Sequence, residues 1–114
     1  MKAILITTDD QVLTVKVEQP LYKSIGSLVD GFIEIVRPIN LPRPFVMICN
    51  EDYCALELPE NILGSFMYGT HIHGHPVQGN IVIMKEKAED LEGLTEWEVN
   101  QLKDAFEKKL KELK

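Results

Sequence analysis

Apolar runs at Lys2 to Thr7 (KAILIT) and Val12 to Val17 (VLTVKV) open the chain, and the acidic pair Asp9 and Asp10 between them reads as the turn of a hairpin. In the second run Leu13, Val15 and Val17 alternate with Thr14 and Lys16, so one face of that strand meets water. The period then changes. Leu21, Ile25, Leu28 and Val29 fall on one side of a helix that Pro20 starts and Gly31 caps. Strand character returns in FIEIV (32 to 36) and FVMIC (45 to 49), with Pro38, Pro42 and Pro44 keeping the loop between them out of regular hydrogen bonding.

Beyond Cys49, the stretch NEDYCALELPEN predicts a turn at Asn50 to Asp52 and a second hairpin, since Cys54, Leu56 and Leu58 alternate with polar or small neighbours. Pro59 and Glu60 open a short helix with Ile62, Leu63, Phe66 and Met67 at helical spacing, and Gly69 ends it. NIVIM (80 to 84) is the last strand, followed by a charged exposed arm from Lys85 to Glu92. Thr95 and Glu98 then form a capping box, with Leu94 and Val99 placed as its hydrophobic staple.

In this final helix Val99, Leu102, Phe106, Leu110 and Leu113 recur at spacings of three and four. Glu96 and Glu98 lie at its positive end, and Lys108, Lys109, Lys111 and Lys114 at its negative end. The apolar stripe is expected to cover the domain's own sheet; the alternative is an interface with a partner or a second copy of the chain. Trp97 lies nearly opposite the stripe, and with Leu102 and Phe106 it is the candidate through which the helix would meet a partner.

The element order ββαβββαβα describes an α+β domain with a mixed, mostly antiparallel sheet, and by analogy it matches a ubiquitin-like β-grasp roll. The organisation expected is one α+β domain over residues 1–84, a charged linker over 85–94 and the C-terminal amphipathic helix over 95–114. Ile4, Ile6, Val15, Leu28, Ile33, Ile35, Val46, Ile48, Ile81 and Ile83 are the expected core.

Composition supports a packed core: 45% of the 114 residues are hydrophobic and 26% charged. A chain of this length buries roughly two-thirds of its unfolded surface, so neither a disulfide nor a metal is needed for folding. No apolar run approaches the roughly 20 residues of a membrane span, so no membrane contact is expected. The start MKAILITTDD turns acidic where a signal peptide stays apolar, and the chain is therefore read as cytoplasmic, with Cys49 and Cys54 as free thiols. Twelve basic against 18 acidic side chains leave a charge of −6 and no dense basic patch outside the last helix. Direct binding to a nucleic-acid backbone is not expected. Acidic mimicry of nucleic acid is an alternative that needs the acids clustered on one face.

His71, His73 and His75 carry the most suggestive chemistry. In an extended chain their side chains point the same way at intervals of about 7 Å, a spacing at which imidazoles can share a metal ion. Cys49 and Cys54 would be the residues to complete such a shell, although Gly69, Gly74 and Pro76 favour a loop over a rigid strand. Apart from that metal no cofactor is indicated, because Gly64, Gly69, Gly74 and Gly79 carry none of the spacing of a phosphate loop. No spacing singles out a Cys54–His nucleophile pair, and Glu34, Glu51, Asp52, Glu57 and Glu60 read as solvated surface, so no catalytic residue is assigned.

The pieces MKAILI, GFIEIVRP (31 to 38), VMICNED (46 to 52), LPEN (58 to 61), MYGT and VQGNIVIM (77 to 84) together resemble the domain of unknown function 3846 family, small proteins of bacteria, phages and other mobile elements. The resemblance spans residues 1 to 84 and leaves the last helix outside. It implies a bacterial or phage cytoplasmic protein and supplies no catalytic residues, and it makes His71 and His73 features of this member. The function expected is a small non-enzymatic interaction module, an accessory protein of a mobile element, working through a sheet face, an edge or a helix. A metal-binding or hydrolytic protein using His71, His73 and His75, and an acidic nucleic-acid mimic, are the alternatives.

Overall fold

The computed structural model describes residues 1–114. The opening hairpin forms as its alternation requires: β1 (Lys2–Ile6) pairs with β2 (Val12–Lys16), Ile4 lying opposite Thr14. Helix α1 (Leu21–Val29) follows, ended by Asp30 in the left-handed conformation one residue before the expected Gly31. Next come β3 (Ile33–Val36), β4 (Phe45–Asn50), α2 (Ile62–Tyr68), the single turn α3 (Thr70–His73), β5 (Ile81–Lys87), β6 (Asp90–Glu92) and α4 (Glu96–Leu113). The sheet runs β2-β1-β5-β4-β3, with β6 alongside the end of β5. Every pairing is antiparallel, so the mixed character expected of the sheet is absent.

β1, β5 and β4 occupy the middle of the sheet, and they are apolar on both faces because both faces are covered. Period-two alternation sorts their side chains into two cores. Ala3, Leu5, Ile48, Val82 and Met84 meet Ile25 and Val29 of α1, which carries the chain from the β2 edge to the β3 edge. Ile4, Ile6, Met47, Ile81 and Ile83 meet Leu63 and Met67 of α2 and Val99, Phe106 and Leu110 of α4 on the other side. The result is three layers, helix on sheet on helix. No helix is long and apolar enough to cross a membrane.

Three local expectations are corrected. The second hairpin after β4 does not form, and residues 51–57 make successive turns. Both sides of β4 are already taken by β5 and β3, so a returning strand has nowhere to pair. The expected helix start at Pro59 is replaced by Asn61, whose side chain caps α2. The expected linker at 85–94 is structured: β5 continues through Lys87 and a hairpin returns as β6, with Ala88 and Glu89 both at positive φ. That is the backbone of a tight two-residue turn, here without the Asn or Gly that usually announces it. Lys85 anchors the hairpin to α4 through Glu98 at 2.9 Å.

α4 begins at the expected capping box, Thr95 and Glu98 each holding the other's backbone N–H. The Glu98 carboxyl is held below its ordinary range by the hydrogen bond from the Thr95 backbone first, and then by Lys85. The helix stripe packs on its own sheet, with only Leu113 exposed, at 38%.

The expected core is found at Ile4, Ile6, Val46, Ile48, Ile81 and Ile83, whereas Val15, Leu28 and Ile33 are half-buried and Ile35 is 38% exposed. Val15, Ile33 and Ile35 sit on edge strands β2 and β3, where the sheet has a neighbour on one side only. Ile48→Ala is therefore expected to cost about 2–5 kcal/mol on equilibrium unfolding. Ile35→Ala, on the strand directly alongside, is expected to cost about 1 kcal/mol or less. Equal losses at the two positions would place Ile35 in the core after all.

Candidate functional site

At the β3 edge the sheet extends past the cover of α2 and α4. On that face Glu34 stands opposite Cys49 and Val36 opposite Met47. The turns after β4 bring Tyr53 over this surface, and α2 delivers Tyr68 as its last residue. Gly69, at φ +91°, stops the helix in a conformation few side chains tolerate. α3 makes one more turn, and the chain returns with His75 and Val77. Together these segments enclose a cleft of about 380 Å³.

The His75 ring is held between two phenols. The Tyr53 hydroxyl lies 3.4 Å from Nδ1 and the Tyr68 hydroxyl 3.3 Å from Nε2. A neutral imidazole donates from one nitrogen and accepts at the other, so one tyrosine receives a hydrogen bond and the other gives one. The Tyr68 ring also stacks on His73, centroids 4.2 Å apart with the planes 22° from parallel. Beneath them Cys49 is buried, and its Sγ donates to the Glu34 carbonyl at 3.8 Å. Burial first, and the Glu34 carboxylate second, push this thiol up to about 12. Tyr53 is likewise pushed up to about 12, again by burial first and then by neighbouring Cys54, Cys49, Tyr68 and Glu34. Thiol and phenol are thus protonated at neutral pH, and Glu34 is the only acidic side chain lining the cleft.

Both cysteines are free, Cys49 buried and Cys54 exposed. Iodoacetamide is expected to add once to the native protein, at Cys54, and twice after denaturation, as intact mass will report. Two additions at similar rates without denaturant would contradict the burial of Cys49.

The histidines are not arranged as the alternation predicts. Thr70–His73 is a helical turn closed by Gly74 N–H to the Thr70 carbonyl at 2.7 Å, so the shared direction of an extended chain is lost. His71 points to solvent, His73 lies on Tyr68 and His75 sits between the phenols. No three His, Cys, Asp or Glu side chains come close enough to hold one metal ion, Cys49 and Cys54 included. The helix candidates separate as well: Trp97 is 70% exposed, whereas Phe106 is buried and Leu102 half-buried against the core. Leu102 and Phe106 thus pack within the domain.

Tyr53 and Tyr68 were invisible as a pair in the sequence. Residues 53, 68 and 75 share no period, and only the fold of the turns after β4 brings them together. The nearest signal was the MYGT stretch, where an aromatic residue precedes the glycine that stops α2.

A family model described as Domain of unknown function (DUF3846) matches residues 1–107. The chain belongs to this family. The DUF3846 match runs through most of α4, so the family domain includes the helix that the motif resemblance over residues 1 to 84 left outside. Neither a curated protein nor a solved structure matches the chain.

Proposed function

We propose that this DUF3846 domain is a small non-enzymatic interaction module, and that it holds its partner along the outer edge of β3 and in the adjoining cleft. The observation that carries this reading is the state of that edge. The Glu51 N–H bonds the Phe32 carbonyl at 2.8 Å. In an antiparallel ladder hydrogen-bonded pairs alternate, so residues 32, 34 and 36 bond β4 and the backbone groups of Ile33 and Ile35 turn outward. β3 has no strand beyond it, and exposed edges of this kind accept an added strand. Exposed apolar side chains flank the same edge: Phe32 is 78% and Tyr22 65% exposed.

The cleft chemistry favours holding over reacting. Cys49 carries its proton at neutral pH and spends it on a backbone carbonyl, and the ring of His75 is engaged with phenols, so thiol and imidazole form no nucleophile and base pair. The resemblance to proteins of bacteria, phages and mobile elements fits a cytoplasmic accessory protein, consistent with two free cysteines.

A photo-crosslinking residue at position 35, compared with the same residue at 13 on the opposite edge strand and at 108 on α4, tests the reading in the native host. A discrete adduct from position 35 and none from the other two is expected. Equal labelling from all three positions, or none from position 35, removes the support for this edge.

A further inference from the structure

Resting on that reading, we infer that the partner presents a basic, extended segment that adds to β3 as a further strand and places a Lys or Arg side chain in the cleft at Glu34, beside the phenols that hold His75. The pleat of β3 dictates the geometry. Glu34 and Val36 face the cleft and Ile33 and Ile35 face the α1 side, because their β4 partners Cys49, Met47 and Ile48 divide in that way. A strand hydrogen-bonded to Ile33 and Ile35 continues this alternation, presenting every second side chain to the cleft at intervals of about 7 Å. Its other side chains fall beside Ile33 and Ile35 on the α1 side, where apolar residues are favoured.

Charge selects what enters the cleft. Glu34 is the only acid lining it, and Glu51 and Asp52 stand at the neighbouring mouth beside Tyr53. No lysine or arginine lines the cleft, its one basic side chain is His75, whose ring nitrogens both face phenol hydroxyls, and nearby Arg37 is already paired with Glu86 on β5. A cation there meets a carboxylate and an electron-rich phenol ring, while its methylene stem lies along the half-buried Val36. The chain's net charge of −6 draws the same kind of partner from a distance. A second copy of this chain is a poorer occupant. A symmetric β3–β3 pairing centred on the strand makes the two Glu34 carboxylates direct or diagonal neighbours, which opposes association.

The probe is a fluorescently labelled peptide of alternating valine and lysine, seven residues long by design and about 23 Å when extended, read by anisotropy with the full chain. Comparison peptides carry norleucine or glutamate in place of lysine, or N-methyl groups on alternate amides. The lysine peptide is expected to bind, to weaken with added salt, and to shift the Ile33 and Ile35 amide resonances. Norleucine and N-methylation are each expected to weaken it by roughly tenfold or more. Glu34→Lys is expected to reverse the preference toward the glutamate peptide, with its thermal unfolding unchanged because the side chain is exposed. Equal affinity for lysine and norleucine peptides, with the same amide shifts, overturns the basic partner and leaves the β3 edge as a docking site. Absence of binding, or binding unaffected by N-methylation and by Glu34→Lys, overturns the added strand itself. An adduct from position 35 in the crosslinking experiment would then still support an interaction surface of different chemistry.

Discussion

A chain ending before Thr95 is expected not to fold. α4 contributes Val99, Phe106 and Leu110 to the core, all buried, and the half-buried Leu102 beside them. Each fully buried large apolar side chain is worth about 1.5–3 kcal/mol, so the three together supply about 5–9 kcal/mol. A domain of this size is stable by only about 5–15 kcal/mol in total. Removal of the helix also uncovers Ile4, Ile6 and Ile83 on the sheet and withdraws Glu98 from Lys85. Circular dichroism, thermal unfolding and light scattering of the shortened chain are expected to show an unfolded or aggregated species. Phe106→Ala, a milder perturbation of the same face, is expected to cost about 3–5 kcal/mol. A truncated chain that is monomeric, soluble and melts with the full-length protein would return the stripe to the role of an interface. The family match through residue 107 agrees with a helix that belongs to the domain.

What the sequence made legible was periodicity, and the elements with strong periods are where they were expected: β1, β2, α1, β3, β4, β5 and α4. Pairing partners were not legible. Ile35 and Ile48 sit in similar apolar runs, yet β4 is central and β3 an edge, so one side chain is exposed and the other buried. Nothing in a strand's own pattern reports how many neighbours it has. β6 was missed because its turn residues, Ala88 and Glu89, carry no turn signature and its side chains are mostly charged and wet. The candidate site was legible least of all. Alternating histidines drew attention to a metal, but local helical hydrogen bonds decide where those rings go, and Gly74 then turns the chain back. The cleft instead depends on long-range placement: Tyr53 arrives on turns that exist because β4 has no free side, and Tyr68 because α2 ends at Gly69.

Replacement of Asn61 is expected to be the most damaging single polar substitution, through hydrogen bonds alone. Asn61 is fully buried, and every polar group of its side chain is used. Its Oδ1 accepts the Gly64 N–H at 2.9 Å as the cap of α2, and its Nδ2 donates to the carbonyls of Ile6 and Gly79, each at 3.0 Å. One side chain therefore fastens α2 to the end of β1 and to the segment leading into β5. Asn61→Ala loses a cap worth about 1 kcal/mol. It also strips a donor from two buried carbonyls at about 1–3 kcal/mol each, so a loss of about 3–7 kcal/mol in urea unfolding is expected. Asn61→Asp separates these contributions, because it keeps the cap acceptor and turns a carboxylate oxygen toward the carbonyls in place of the donor. Burial and those carbonyls raise the pKa of the new carboxyl in the folded state. The folded state then binds more protons than the unfolded one, so stability falls as pH rises from the unfolded carboxyl pKa through the folded one. Asn61→Asp should accordingly lie closer to the wild type at about pH 4.5 than at about pH 7.5, a trend that Asn61→Ala does not share. A variant as stable as the wild type at the higher pH would mean that the Nδ2 donations contribute nothing. The cleft should report the same loss from a distance: α2 ends at Tyr68, so a loosened Asn61 anchor releases the phenol that holds His75, and the paired resonances of these two rings should broaden together.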